Sequence, residues 1–277
     1  MAKWADFLQV SRSGYYEWLS KRNETAAKKK AYLEKVKKTF NDSGGTYGPD
    51  RICGVMRNEG HKASYHKVAG FMVEMGLCSI HNRHRSRPDS RKARDDSYKN
   101  LVRGETFTLP YQAVCSDISY VRTDEGFLYL CIIKDIMTGD ILGQARGSRM
   151  KKELVIKAFL NAHARHPLGK DTIFHSDRGS QYTSKKFMEL LQSLGIKQSF
   201  SRVGMPSDNT WAESFFSTLK KERIHWSSFA TRSDADFAIF TWIESFYNTK
   251  RTQKRLGYVS PAEYRKTLLS EKEKSVA

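Results

Sequence analysis

Apolar positions along this chain change their period twice. Up to about residue 78 they recur at helical spacing. Tyr32, Leu33, Val36 and Phe40 share one face of a Lys-rich stretch. Pro49 opens a segment carrying Ile52, Val55 and Met56 that Gly60 suits as a C-terminal cap, and Val68, Phe71, Met72 and Met75 repeat the pattern ahead of Gly76. Nearer the N-terminus, the Ser/Gly-containing stretch within Leu8 to Leu19 reads as a turn between apolar residues, the form of a helix-turn-helix remnant. The two short helices joined across Gly60 to Ser64 form a second helix-turn-helix candidate, and a plain helical hairpin fits them equally well.

Periodicity fades from about Cys78 to Pro110. Eight Lys/Arg and three Asp lie between His81 and Arg103, so this segment reads as a mobile basic linker, either tracking a phosphate backbone or serving only as a solvated tether. From Tyr111 the period becomes two: Val114, Ser116, Ile118 and Tyr120 alternate with Cys115, Asp117 and Ser119. The run Phe127 to Ile133 predicts a strand buried on both faces. With Ile141 to Ala145 and the turns at 122–126 and Met137 to Asp140, it completes an antiparallel meander. A helix over about Lys152 to Ala164, a strand over Thr172 to His175, a helix over Lys185 to Leu194, a strand over Ile196 to Phe200 and a further helix follow. This β-β-β-α-β-α-β-α order is that of the ribonuclease-H-like α/β fold, a mixed five-stranded sheet with flanking helices. It divides the chain into an all-α helix-turn-helix-like module (1–78), a basic linker (79–110), a catalytic core (111–225) and a C-terminal helical extension (226–277).

Charge adds a partner. The 277 residues carry 48 Lys/Arg against 30 Asp/Glu, a formal charge of +18. Solubility alone needs no such excess, whereas a polyanion such as DNA accounts for it through counterion release. Cys53, Cys78, Cys115 and Cys131 show no C-x-x-C spacing, and the pairs His61/His66 and His163/His166 have no cysteine pair after them, so the sequence points to reduced thiols and away from a zinc module. No apolar run reaches membrane-spanning length and no signal peptide is evident, which predicts a bacterial cytoplasmic, nucleoid-associated protein without a membrane partner.

Three acids stand where chemistry needs them. Asp117 interrupts a strand among apolar neighbours, which is costly unless it is paired or binds a metal. Asp177 follows a short strand directly. Glu213 lies on a helix whose apolar stripe is Trp211, Phe215 and Leu219, and Lys220, seven positions on, shares its face. Any one acid alone could be a cap or a surface charge.

The blocks Asp117-Ile-Ser-Tyr-Val, Phe174-His-Ser-Asp-Arg-Gly-Ser-Gln-Tyr-Thr-Ser184 and Ala212-Glu-Ser-Phe-Phe-Ser-Thr-Leu-Lys-Lys-Glu222, with 35 residues between Asp177 and Glu213, resemble the catalytic blocks of the DDE transposases of the retroviral-integrase superfamily. Tyr247-Asn-Thr-Lys-Arg251 and Leu256-Gly-Tyr-Val-Ser-Pro261 resemble the closing block of the two-frame bacterial insertion sequences. Val10 to Tyr16 and Tyr47 to Ile52 resemble the helical module of their downstream-frame product.

The resemblance implies metal-dependent 3′-end cleavage and strand transfer. Asp117, Asp177 and Glu213 would be the catalytic residues holding two Mg²⁺ ions, with Mn²⁺ as a substitute. Lys220, Lys221, Arg178, Asn209 and Arg251 would contact double-stranded DNA, both element ends and target. It also implies a dimer or larger assembly on DNA and an upstream-frame partner or fusion, in line with how closely Met1 precedes the first helical block. The family's Trp and His are replaced here by Val114 and Gln253. The competing readings are a non-catalytic DNA-binding regulator that needs the upstream-frame product, and a ribonuclease-H-type nuclease without strand transfer. Gly204 to Ser207 is expected to be a loop that orders on DNA.

Overall fold

The computed structural model describes residues 11–80, 98–202 and 205–276. The chain forms two compact units, Met1–Ile80 and His81–Ala277. In the first, α1 (Arg12–Asp42) packs with α2 (Pro49–Asn58) and α3 (Tyr65–Glu74) around Val36, Ile52, Cys53, Met56, Val68 and Met72. The predicted caps are present: Pro49 sits in the first turn of α2, and Gly60 and Gly76 take positive φ just beyond α2 and α3. The Ser/Gly stretch, as far as it is described, opens α1. The Ser11 hydroxyl accepts from the Gly14 N–H at 2.9 Å as the N-cap of α1, satisfying a donor that a helix start leaves free. Leu8 and Val10 of that expectation lie outside the described residues.

The second unit is built on β1 (Ala113–Thr123), β2 (Gly126–Asp135), β3 (Ile141–Gly147), β4 (Ile173–Ser176) and β5 (Lys197–Phe200), ordered β3-β2-β1-β4-β5. The first three strands run antiparallel, and β1, β4 and β5 are parallel. This is the mixed ribonuclease-H-like sheet. On β2, burial on both faces begins only at Leu130; Phe127 is exposed and Tyr129 half-buried. One face packs α4 (Lys152–His163) and α5 (Lys185–Ser193) through Leu142, Val155, Phe159, Phe174 and Phe187. Gly143 permits this approach: a Cβ there would stand 2.5 Å from the Ala162 nitrogen and 2.6 Å from the Ala158 oxygen.

The other face packs α6 (Thr210–Glu222) and α7 (Arg232–Trp242), which continues into a π-helical turn, Ile243–Tyr247. Phe229, Ile239, Trp242 and Tyr247 share one cluster with Cys115, Ile132, Phe215 and Leu219. The expected C-terminal extension therefore contributes to the same core as the catalytic segment, ahead of α8 (Pro261–Val276).

The last part of the expected linker is also packed. Val102 is buried in that cluster, the Leu101 N–H donates to Ser199 Oγ at 2.8 Å, and the Phe200 N–H donates to the Lys99 carbonyl at 3.0 Å. Residues 81–97 lie outside the described residues. All four cysteines are free, with Cys78 exposed and the other three buried.

Candidate active site

Strands β1 and β4 pair in parallel, with Cys115 opposite His175. Asp117 stands two residues further along β1 and Asp177 directly follows β4, so both acids lie beyond the C-terminal end of that pairing. Asp117 Oδ1 accepts from the Ile118 N–H at 2.7 Å, and Asp177 Oδ1 accepts from the Gly179 N–H at 2.9 Å. Glu213 lies in the first turn of α6, whose buried face is Ala212, Phe215, Phe216 and Leu219; burial of that face turns Glu213 outward.

These charges feel one another. Burial, followed by the carboxylates of Asp177 and Glu213, pushes the Asp117 carboxyl up to about 6, while the Ile118 N–H and the Lys220 ammonium oppose the rise. Protein packed around Glu213 raises its carboxyl too, although its side chain reaches solvent. Among the described residues, no three His, Cys, Asp or Glu side chains already stand close enough to hold one ion. The donor chemistry still fits a hard divalent cation: carboxylate oxygens only, with a half-buried acid whose charge two further acids make unfavourable.

Several residues that the sequence did not single out hold this arrangement. The His175 Nε2–H points at the Asp208 carbonyl, 3.0 Å away, and at Ser201 Oγ, 3.1 Å away. The carbonyl can only accept, so the proton is on Nε2. Nδ1 then accepts from Ser199 Oγ at 2.9 Å, and Ser199 in turn accepts from Leu101. Burial pushes this imidazole down to about 4, so it stays neutral. Arg202 grips Asp208 through Nε and Nη2, both at 2.9 Å, and the backbone N–H of Arg202 adds a third bond. Pro206–Asn209 is a 3-10 turn running directly into α6, so this part of the expected loop is helical; Val203 and Gly204 lie outside the described residues. Lys134, buried on β2, donates to the Trp211 carbonyl at 2.7 Å, and Asn209 Nδ2 donates to the Ser116 carbonyl at 3.1 Å. The only signal of these roles in the sequence is adjacency: His175 lies two residues before Asp177, and Asp208 and Asn209 just before α6.

The expected DNA contacts divide. Lys220, Lys221 and Arg178 are partly exposed, and the Lys220 charge acts on Asp117; Arg178 donates to the Ser201 carbonyl at 3.1 Å with its guanidinium 5.4 Å from the Tyr98 ring centre. Asn209 and Arg251 are buried, and that corrects their expected role. Asn209 ties the start of α6 to β1, and Arg251 closes on Glu222. Asn248 of the closing block is buried as well, taking the Ile141 N–H and donating to the Ile141 carbonyl, both at 3.0 Å. Of the two departures, Val114 is fully buried against the α4/α5 face. Gln253 pairs with Val259 through its backbone and with Tyr247 and Arg255 through its amide.

Family models match the chain as an HTH-like domain over residues 27–85 and as integrase core domains over 108–206 and 213–269. The transposase of insertion sequence element IS904 from Lactococcus lactis is 38% identical over 235 residues, covering 84% of this chain and 92% of its own. A 31 kDa protein of insertion element IS600 from Shigella sonnei is 37% identical, covering 92% and 95%. The transposase InsF of insertion sequence IS3A from Escherichia coli is 31% identical, covering 93% and 91%. Among solved structures, the HTLV-2 integrase catalytic core domain in complex with magnesium aligns at a TM-score of 0.45 and 19% identity, over 57% of this chain and 97% of that one. The chain belongs to the DDE transposases of the IS3 type, integrase-core proteins of insertion sequences.

Proposed function

We propose that this transposase cleaves DNA at the 3′ ends of its element and transfers the strand to target DNA, with Asp117, Asp177 and Glu213 as its catalytic carboxylates. The observation that supports this reading is that Asp117 on β1 and Asp177 just after β4 both follow the parallel pair Cys115–His175. Glu213 faces them closely enough to raise the Asp117 carboxyl. Asp117, Asp177 and Glu213 would together hold Mg²⁺ or Mn²⁺ ions, as the two-metal chemistry of such sites requires. When bound, such a pair supplies an activated water or 3′-hydroxyl and a stabilised leaving oxygen.

The protein's own part is positional. The β1–β4 pairing directs the two aspartates toward the same end of the sheet. The bonds of His175, Arg202 and Lys134 to residues 208 and 211 set where α6 begins, and therefore where Glu213 stands. Lys220, with Lys221 and Arg178, offers cations to the backbone phosphates that flank the scissile bond. Double-stranded DNA is the partner, with two ends held by a dimer or larger assembly and with the upstream-frame segment supplying end recognition.

The test is to incubate the chain, and separately its fusion to the upstream frame, with labelled element-end DNA and Mg²⁺ or Mn²⁺. Nicked and joined products are expected. Nicking without joining indicates a nuclease. Binding without nicking by both proteins indicates a regulator. Full activity in Asp117→Asn overturns the assigned site.

A further inference from the structure

The β1–β2 hairpin projects past the acids and carries an aromatic surface that the reaction described above does not use. Its cross-strand pairs include Tyr120 opposite Tyr129 and Arg122 opposite Phe127, so all four side chains lie on one face of the ribbon. The three rings meet edge to face, Tyr120 and Phe127 at 4.9 Å and each at 6.4 Å from Tyr129. Tyr120 is 55% exposed and Phe127 44%. Arg122 is exposed, and its side chain makes no hydrogen bond or ion pair among the described residues.

The hairpin is held rigidly. Arg232 donates from Nε to the Phe127 carbonyl at 3.1 Å and from its backbone N–H to Glu125 Oε2 at 2.9 Å, and the Asp124 N–H donates to the Phe229 carbonyl at 3.1 Å. Gly126, at φ +106°, makes the turn, and a Cβ there would sit 3.0 Å from the Arg232 guanidinium. Lys220 links the two regions: its ammonium is 5.8 Å from the Tyr120 ring centre, and its charge acts on Asp117.

From this juxtaposition we infer that Tyr120 and Phe127 form a stacking platform for an unpaired base of the DNA strand next to the reacting phosphate, with Arg122 and Lys220 taking the adjoining phosphates. A rigid aromatic surface bracketed by cations matches single-stranded nucleic acid, because every base offers a π-face and every link a negative charge. A purely apolar protein partner would leave Arg122 without a counter-charge. The inference rests on DNA being the substrate of the neighbouring acids.

The test uses the full chain carrying Asp117→Asn, so that no cutting intervenes. Fluorescence anisotropy is read with a 15-nucleotide single-stranded thymidine oligomer and, separately, a 15-base-pair duplex. Adding Tyr120→Leu and Phe127→Leu is expected to weaken the single-strand complex about tenfold or more. Duplex affinity should stay within about twofold, and Trp at both positions should restore single-strand binding. Unchanged single-strand affinity overturns the platform, as does an equal loss for both DNAs. A change of oligomeric state in sedimentation on leucine substitution also overturns it, because the face would then join copies of the chain. If neither DNA binds even before substitution, it is the DNA-processing reading that fails, a result distinct from these.

Discussion

Arg251 and Glu222 meet through two parallel hydrogen bonds, Nε to Oε2 at 2.8 Å and Nη2 to Oε1 at 2.7 Å, with both side chains almost wholly buried. The pair fastens the last turn of α6 to the segment after α7, so a residue expected on the DNA surface instead locks the helix that carries Glu213. Removing one partner strands a buried charge. Arg251→Met is expected to destabilise the protein by about 3–5 kcal/mol. Arg251→Met with Glu222→Met should recover most of that loss, because the double change leaves no unpaired ion. Urea unfolding of the single and double variants measures both; equal stabilities of the single variant and wild type would show the pair to be inert.

Asp117 predicts a pH dependence with a definite sign. Its carboxyl stands at about 6 in the folded chain against an ordinary 3.8. The folded state therefore holds this proton more tightly, and the contribution to stability falls as pH rises from about 4 to about 6. Without divalent ions, Asp117→Asn should be the more stable protein at pH 7, by about 2–3 kcal/mol relative to the difference at pH 3.5. Adding Mg²⁺ should raise the melting temperature of wild type and leave that of Asp117→Asn unmoved. An equal Mg²⁺ response in the two proteins would remove Asp117 from the metal site.

His175 predicts the opposite slope over nearly the same range. Its folded value of about 4 lies below the ordinary 6.5, so its stabilisation is complete above pH 6.5 and is lost as pH falls toward 4. Asp117 masks this in wild type. In the Asp117→Asn background, acidification from pH 7 to 4 should cost about 3 kcal/mol more than in Asp117→Asn with His175→Gln, whose amide has no proton to take up over this range. Parallel pH profiles for these two proteins would place the His175 ring in contact with solvent.

Gly143 predicts a packing cost. Gly143→Ala drives a methyl into the α4 backbone and should destabilise by about 1–3 kcal/mol. Gly147→Ala on the same strand is the control: its nearest neighbour would be 3.6 Å away, an ordinary contact, and its melting temperature should stay close to that of wild type. If both variants melt together, α4 approaches β3 less closely than the structure shows.

Periodicity and turn chemistry in the sequence located the five strands and the two helices that follow β3 and β4 to within a few residues, because a two-residue alternation and a 3.6-residue one are properties of the chain itself. The three acids were legible for a related reason. An Asp inside an apolar strand violates the burial pattern, and Glu213 and Lys220 share a helix face by spacing alone. Boundaries failed where a short apolar signal was satisfied from far away: Val102 is buried beneath residues more than a hundred positions later, and Phe229 to Tyr247 complete a core begun at Cys115.

The sequence by itself determined the strand and helix order, the basic character of the chain and the acids available for chemistry, since these depend on composition and local spacing. Only the tertiary structure decided which polar residues stay exposed and which are sealed inside. Arg251 and Asn209 look like any exposed cation and amide until Glu222 and the Ser116 carbonyl are brought to them. Tyr120 and Phe127 likewise read as ordinary strand aromatics until register puts them on one face beside Lys220. For Arg251 and Asn209 the deciding factor is desolvation by residues distant in sequence, and for Tyr120 and Phe127 it is strand register and the approach of α6, neither of which a local pattern encodes.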